Sequence, residues 1–430
     1  MINAIVEFLW ADPGARVAIA VPTHALGAGL ADRINGKFGS PVAMEWYGID
    51  SQDPLTRASK MCRLAEAAMA LQSAGGKLQL LCSSRSGGCC SHHPAVAGPN
   101  PCGYLRQQQA AIRNAVRVWI VPSVMLGSAT PPALRRQGQN GSGDFDLLVI
   151  DEAPWFGLLG GTGEEPFGVP VEWLAPDWWQ GQTPRAHLAD RDLAIETLTR
   201  LHNVLTHHPP GEVSADRFKA VGLDPHAINR ARRFAFRCKT DLRAVVRPGS
   251  VHSELDRALS AIAPANRRVL NVADALRVIR LRLQGRLAPS GLELAQSPDG
   301  KPFLRLRWRK DVDPGWLAAP VLYLDAAGTG GHRIAEAWLP DIELAIEARA
   351  AAPYMRLSQV IDSQVSYQKI SSEATADRLA RIVEARGPDG LVACPKTLRA
   401  RWQAAKRLPG WELWNFQALR GRDEAKQVPS

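Results

Sequence analysis

The 430-residue chain contains no GxxxxGK[ST] stretch. Its Gly-Lys pairs continue as Gly36-Lys37-Phe38, Gly76-Lys77-Leu78 and Gly300-Lys301-Pro302, without the hydroxyl residue that a Mg²⁺–phosphate site needs. A self-contained P-loop is therefore excluded. There is no CxxC among the seven cysteines, so the common metal-ligand spacing is missing. No segment approaches 18 uninterrupted apolar residues, which gives no expectation of a membrane span or a membrane partner. No signal peptide opens the chain, so a cytoplasmic location and reduced thiols are expected. Internal repeats and low-complexity tracts are also missing.

What is present is enough apolar sequence, 46%, to build cores, over a length that suits two or three domains. Lys plus Arg number 52 against 42 Asp plus Glu, a net charge of +10 supplied mostly by arginine. Such a balance suits a polyanion-binding protein, and a genome rich in Arg codons also raises it.

The most informative stretch is Asp144 to Trp155, DFDLLVIDEAPW. The apolar run Phe145, Leu147, Leu148, Val149 and Ile150 stops at two adjacent carboxylates, Asp151 and Glu152. Such a run suits a strand buried on both faces of a parallel sheet. In open α/β sheets ligands sit beyond the carboxyl ends of the strands, so both acids would reach the ligand edge. In a phosphoryl-transfer site Asp151 would hold Mg²⁺ and Glu152 would orient the attacking water. The plainer reading is a turn whose acids cap the next helix, with Pro154 at its start. Strands alternating with helical stretches over residues 1–160 imply an α/β class with a parallel, doubly wound sheet.

Five cysteines, Cys62, Cys82, Cys89, Cys90 and Cys102, crowd into residues 62–102. In a reducing compartment this reads as a metal site, and thiolates suit zinc or an iron–sulfur cluster. Cys89 and Cys90 are adjacent, so one of them is the expected ligand. His92 and His93 offer a mixed Cys/His zinc site. Free structural thiols are the alternative.

The order of several segments resembles superfamily 2 DNA helicases of the XPD/DinG iron–sulfur type, including phage and plasmid relatives. Arg16 to Leu30, RVAIAVPTHALGAGL, resembles motif Ia, which implies that Thr23 and His24 touch the nucleic-acid backbone. Val116 to Leu126, VRVWIVPSVML, resembles the segment before the DEAx box, and Asp151-Glu152-Ala153-Pro154 resembles the box itself. Pro320 to Gly328, PVLYLDAAG, resembles motif III, with Ala327 where Thr is expected. Phe416 to Asp423, FQALRGRD, resembles a stretch of the second motor domain, which implies nucleotide contacts from Arg420 and Arg422. Pro101-Cys102-Gly103-Tyr104 resembles the last cluster cysteine and the helix after it.

The resemblance implies a RecA-like first motor domain over residues 1–170, carrying a Cys-rich metal module at 60–105. A mainly helical, arch-like insertion follows at 171–315, with a β-hairpin at 291–310. A return strand and linker then occupy 316–350, and an incomplete second RecA-like domain 351–430. It implies a 4Fe–4S cluster, with Zn²⁺ as the alternative, and ATP with Mg²⁺. The partners implied are single-stranded DNA and replication proteins of a mobile element. Met1 to Leu9 resembles the helix that follows a P-loop, so the expectation is the middle of a helicase, truncated or degenerate, and a poor ATPase by itself. A non-catalytic, metal-containing nucleic-acid-binding protein is the alternative, and a zinc-binding factor with an accidental DEAP a third.

Other segments carry charge. Asn229 to Arg247 holds seven basic residues, Arg233 and Arg237 among them, with Phe234 and Phe236 interleaved. It is either a solvated helix face or a DNA contact. In Gly291 to Lys310, Leu304, Leu306 and Trp308 alternate with Arg305, Arg307 and Arg309, which places three arginines on one strand face. That face could track phosphates or water. The Gly- and Pro-rich stretch 157–182, with Trp173, Trp178 and Trp179, reads as a loop.

Overall fold

A computed structural model of the chain describes residues 1–346 and 372–415, apart from 57–58, 83–88, 97–100, 114–115, 136–143, 153, 162–166, 183–190, 247–251, 288–290, 298, 326–328, 386 and 388–389. The chain opens with helix α1 (Ile2–Ala11), strand β1 (Val17–Val21), helix α2 (His24–Phe38) and strand β2 (Ala43–Glu45). Helices α3 (Ala65–Ser73), α4 (Gln79–Cys82) and α5 (Gly103–Arg113) precede β3 (Val118–Pro122) and β4 (Leu147–Asp151).

Next come α6 (Trp155–Leu158), β5 (Leu159–Gly160), β6 (Gly168–Pro170) and α7 (Pro176–Gln180). A mainly helical stretch holds α8 (Arg191–Thr206), β7 (Gly211–Glu212), α9 (Ala215–Ala220), α10 (Pro225–Arg237) and α11 (His252–Leu283). Then follow β8 (Leu292–Gln296), β9 (Pro302–Leu306), β10 (Trp308–Arg309), α12 (Pro314–Leu317), β11 (Val321–Leu324) and α13 (Thr329–Ala335).

Five of these strands form one parallel sheet in the order β11-β4-β1-β3-β2. The period of two sorts each strand between two cores. Val17, Ile19, Val21, Ile120 and Val149 face α1 and α2, which contribute Ile5, Leu9, Leu30 and Ile34. Ala18, Ala20, Trp119, Leu148 and Ile150 face the other way, onto Trp46, Leu126, Phe145, Trp155 and Trp316. Both faces are covered, so β1 is buried along its whole length, as the unbroken apolar run VAIAV requires. The fold class is thus mixed α/β around a parallel sheet, as the sequence implied.

Residues 168–306 build a second core. An antiparallel sheet of order β6-β9-β8-β7 lies against α8, α10 and α11. β8 and β9 are a hairpin whose turn is closed by Ser297 N–H donating to the Lys301 carbonyl, 2.9 Å, with Gly300 at φ +77°. The stretch 157–182 is not the loop its Gly and Pro content suggested. Its described residues form a series of short elements whose tryptophans enter this core: Trp179 is fully buried, and its indole N–H donates to the Trp173 carbonyl. Large aromatic area outweighed the local turn signal.

The Cys-rich region packs between these units. α3 and α4 bury Ala67, Leu71 and Leu81 against Leu242, Leu255 and Leu259, the last two from the start of α11. Buried Asn266 ties them further, donating to the carbonyls of Ala74 and Thr240. Among the last described residues, β12 (Gly390–Cys394) and β13 (Trp411–Asn415) pair in parallel, connected through the helix Lys396–Ala404. That helix and Glu373–Glu384 cover the pair through Leu398, Trp402, Ala376 and Ala380. This is a βαβ unit, beginning at the strand expected from Leu391 to Cys394.

Candidate functional site

The carboxyl edge of the parallel sheet gathers the polar groups. β4 delivers Asp151, in register with Leu324 of β11, and Glu152 follows directly. The Glu152 N–H donates to the Leu324 carbonyl at 2.8 Å, and its φ of +62° lies in the left-handed region. A non-glycine residue held there is strained, and such strain concentrates at functional sites. Burial raises the Asp151 carboxyl pKa, opposed by the amino group of Met1 at the start of α1. The start of α1 therefore lies within electrostatic reach of this acid. It has no side-chain cap and no acid in its first turn. Unsatisfied N–H groups and the helix dipole make such an end receptive to an anion. On the neighbouring strand Tyr323 O–H donates to the Asp325 carboxylate.

Three strands away, a second cluster sits at the same edge. Glu45 ends β2 and is 5% exposed. One of its carboxylate oxygens is 2.5 Å from His24 Nδ1, and the other accepts from Tyr47 O–H at 2.6 Å. The His24 and Tyr47 rings stack, with centroids 5.0 Å apart and planes within 9°. Burial first, then Glu45, pushes the Tyr47 phenol up. Thr23, expected to touch nucleic acid, accepts the Leu26 N–H at 3.3 Å as the N-cap of α2. The reading from sequence missed Glu45 and Tyr47. An apolar strand ending in an acid, as in β4, was the signal, but at three residues β2 was too short to stand out.

Four of the five clustered cysteines converge. Cys62, Cys82, Cys90 and Cys102 line one small cavity of about 20 Å³, together with His92, Leu64, Leu81 and Tyr104. Backbone bonds hold the four segments in place: Cys90 N–H to the Cys82 carbonyl, Cys102 N–H to the His92 carbonyl and Cys62 N–H to the Ile49 carbonyl. Of the adjacent pair, Cys90 turns inward and Cys89 is not among the lining residues. A hydrogen bond shared by the two thiols lowers the pKa of Cys102 and raises that of Cys62, and the Cys102 thiol also lies 3.4 Å from the Met61 carbonyl. Burial pushes Cys82 up to about 11. Among the described residues no three His, Cys, Asp or Glu side chains are close enough together to hold a metal ion.

Behind Cys102, α5 reaches both clusters. Arg106 donates to both oxygens of the fully buried Asp53 at 2.8 and 2.9 Å, with Arg63 3.6 Å away. Gln107 pairs with the Tyr47 backbone in both directions, at 2.9 and 3.2 Å. The cysteine cavity and the His24–Glu45–Tyr47 cluster thus share one helix.

The arginines divide. Arg305 pairs with Glu293 at 3.3 Å, and Arg309 with Asp311 at 3.3 Å and the Ala337 carbonyl. Arg307 is exposed. Leu304 and Leu306 are buried while the arginines alternating with them are half-buried or exposed, and beyond Arg307 the strand leaves the hairpin for β10 to pair with β5. Arg233 is exposed on α10, and Arg237 lies half-buried in its last turn. Arg420, Arg422 and Ala327 lie outside the described residues. Among the described residues no helix is long and apolar enough to cross a membrane. No family model and no curated protein matches this chain.

Proposed function

We propose that this chain is the core of a nucleotide-driven motor acting on single-stranded DNA, of the iron–sulfur helicase type that its sequence resembles. The supporting observation is the convergence at β4. A half-buried, destabilised Asp151, a strained Glu152 and the uncapped amino end of α1 share the sheet edge where a Mg²⁺–nucleotide would lie. In this reading Asp151 holds the metal, Glu152 orients water, and α1 faces phosphate. The 430 residues supply no phosphate-gripping loop of their own. Among the described residues β11 is the edge strand beside β4, where a further parallel strand would have a place to join. The unit at 372–415 is then the start of a second motor domain, and 171–315 the inserted helical region.

Within this reading the cysteine cavity holds a thiophilic metal through Cys62, Cys82, Cys90 and Cys102. Thiolates suit such a metal in type, but as placed the four cysteines do not form a ligand set, so the segments must draw together for a metal to bind. The metal would cross-link four segments and so add folding free energy.

The test is to look for an in-frame GxxxxGK[ST] in the DNA before the Met1 codon and express the extended protein. DNA-stimulated ATP hydrolysis is expected there, with little from residues 1–430 alone. Glu152→Gln should abolish turnover and leave ATP binding. An extended protein that binds no nucleotide would leave a non-catalytic nucleic-acid-binding role in its place.

A further inference from the structure

The helix pair α10 and α11 carries a second concentration of charge, away from the sheet edge. On α10, Ile228, Ala231, Phe234 and Ala235 point into the core. The flank beside them bears Asn229, Arg232, Arg233 and Phe236, spaced three and four residues apart on one face. On α11, Asp274, Arg277 and Arg280 follow at single-turn spacing. Arg280 reaches across and donates to Asn229 Oδ1 at 3.0 Å, which puts its guanidinium one turn from Arg232. The Arg232 guanidinium lies over the Phe236 ring, 5.1 Å from its centroid.

Several cations are thus held together where the surface could have spread them. Burial first, and then Arg280 and Arg277, lower the Arg232 pKa, with Asp274 the opposing charge. Asp274 is itself half-buried, and it faces Arg277, Arg232 and Lys310. The Nε atoms of Arg232 and Arg280 are buried without a hydrogen-bond partner. Buried donors are normally satisfied, and packed like charges are costly unless an anion completes them.

We infer that the groove between α10 and α11 binds the phosphate backbone of single-stranded nucleic acid, through Arg232, Arg277 and Arg280 with Arg233 at its mouth. A row of guanidinium groups along two helices suits a linear chain of phosphates, since each presents a planar fork to phosphate oxygens. Phe236, 38% exposed beside Arg232, offers an aromatic face to an unstacked base, which a duplex does not provide. Asp274 weakens the site and keeps the empty groove tolerable.

This inference rests on the nucleic-acid half of the reading above, and its assay contains no ATP, so the two fail separately. Binding of fluorescein-labelled oligo(dT) to the full chain is measured by anisotropy across a salt series. Arg232→Gln with Arg277→Gln should weaken binding roughly tenfold and flatten the log–log salt slope by about 1.4, at ~0.7 per lost phosphate contact. Asp274→Asn should tighten binding, a gain that misfolding cannot mimic. Affinity and slope unchanged in the double variant would overturn the groove. So would looser binding in Asp274→Asn, or polyglutamate binding as tightly as oligo(dT). Loss of ATP hydrolysis with these DNA results intact would remove the motor reading alone.

Discussion

β2 and β4 both end in a carboxylate at the same edge of one sheet, and their surroundings are opposite. Glu45 is buried, and each of its oxygens has a partner, His24 on one side and Tyr47 on the other. Asp151 is half-buried, and among the described residues its carboxylate makes no side-chain hydrogen bond or ion pair; burial destabilises its charge. A carboxylate whose acceptors are filled from within is part of the framework. One that is partly desolvated and left open is suited to a cation from outside. The contrast predicts that Glu45 carries stability and Asp151 carries chemistry.

The largest expected effect therefore falls on Glu45. Glu45→Ala removes both acceptors and strands the phenol and imidazole beside a cavity. Losing hydrogen bonds to a buried charge should destabilise the fold by about 2–4 kcal/mol, read by urea unfolding. A loss under ~0.5 kcal/mol would mean that His24 and Tyr47 find water instead, and the contrast with Asp151 would collapse.

Gly27→Ala tests whether Glu45 is fixed. Alanine favours a helix over glycine by about 1 kcal/mol. Here the added Cβ would come 2.8 Å from a Glu45 carboxylate oxygen and 3.2 Å from Ile120 Cγ2. Glu45 is pinned by two partners and cannot swing away. We expect a net destabilisation of about 1–2 kcal/mol. A gain in stability would show that the carboxylate yields.

The two adjacent cysteines permit a similar comparison inside the cavity. Only Cys90 lines it. Protein purified without oxygen should carry iron or zinc, and Cys90→Ser or Cys102→Ser should release it with a fall in melting temperature. Cys89→Ser should retain the metal. Equal loss from Cys89→Ser and Cys90→Ser would refute the inward turn of Cys90. Metal-free wild type would refute the site.

How far the sequence revealed these sites depended on run length and locality. β1, β3 and β4 were legible because four or five apolar residues in a row have few uses other than a strand covered on both faces. Their order in the sheet was not, because register and neighbours are set by long-range packing. The convergence of Cys62, Cys82, Cys90 and Cys102 could be suspected from density alone, but which of Cys89 and Cys90 turns inward is a backbone detail. Glu45 was hidden by the shortness of β2, and its partner Tyr47 by ordinary composition. The groove between α10 and α11 was half visible: α10 announced its arginines, while Arg277 and Arg280 lay in a helix that reads as amphipathic core. The stretch 157–182 misled most, since Gly and Pro report local geometry and three tryptophans report burial. Burial won.

Tyr47→Phe keeps the ring that stacks on His24 and removes one hydrogen bond to Glu45. It should cost about 1 kcal/mol, the usual net value of such a bond. The loss should fade in a Glu45→Gln background, because the two residues act as one unit. Full additivity would separate them and leave the stacked rings, not the carboxylate, as the organising contact.

The smallest effect on folding is expected at Asp151, and its sign is the sharpest test. Burial raises the pKa of this acid above its unfolded value, so the folded chain binds its proton more tightly. The stabilisation linked to that proton is fully present below the unfolded value of 3.8 and is lost as pH rises through the raised folded value. At neutral pH the ionised carboxylate is therefore a burden. Asp151→Asn should leave stability within about 0.5 kcal/mol of wild type or raise it, and should flatten this part of the pH–stability profile. Mg²⁺ with nucleotide should stabilise an extended, loop-bearing protein and fail to stabilise its Asp151→Asn form, because the ligand binds only the native state. If Asp151→Asn instead destabilises the chain as much as Glu45→Ala, Asp151 is a second framework carboxylate and the candidate metal position at β4 is lost with it.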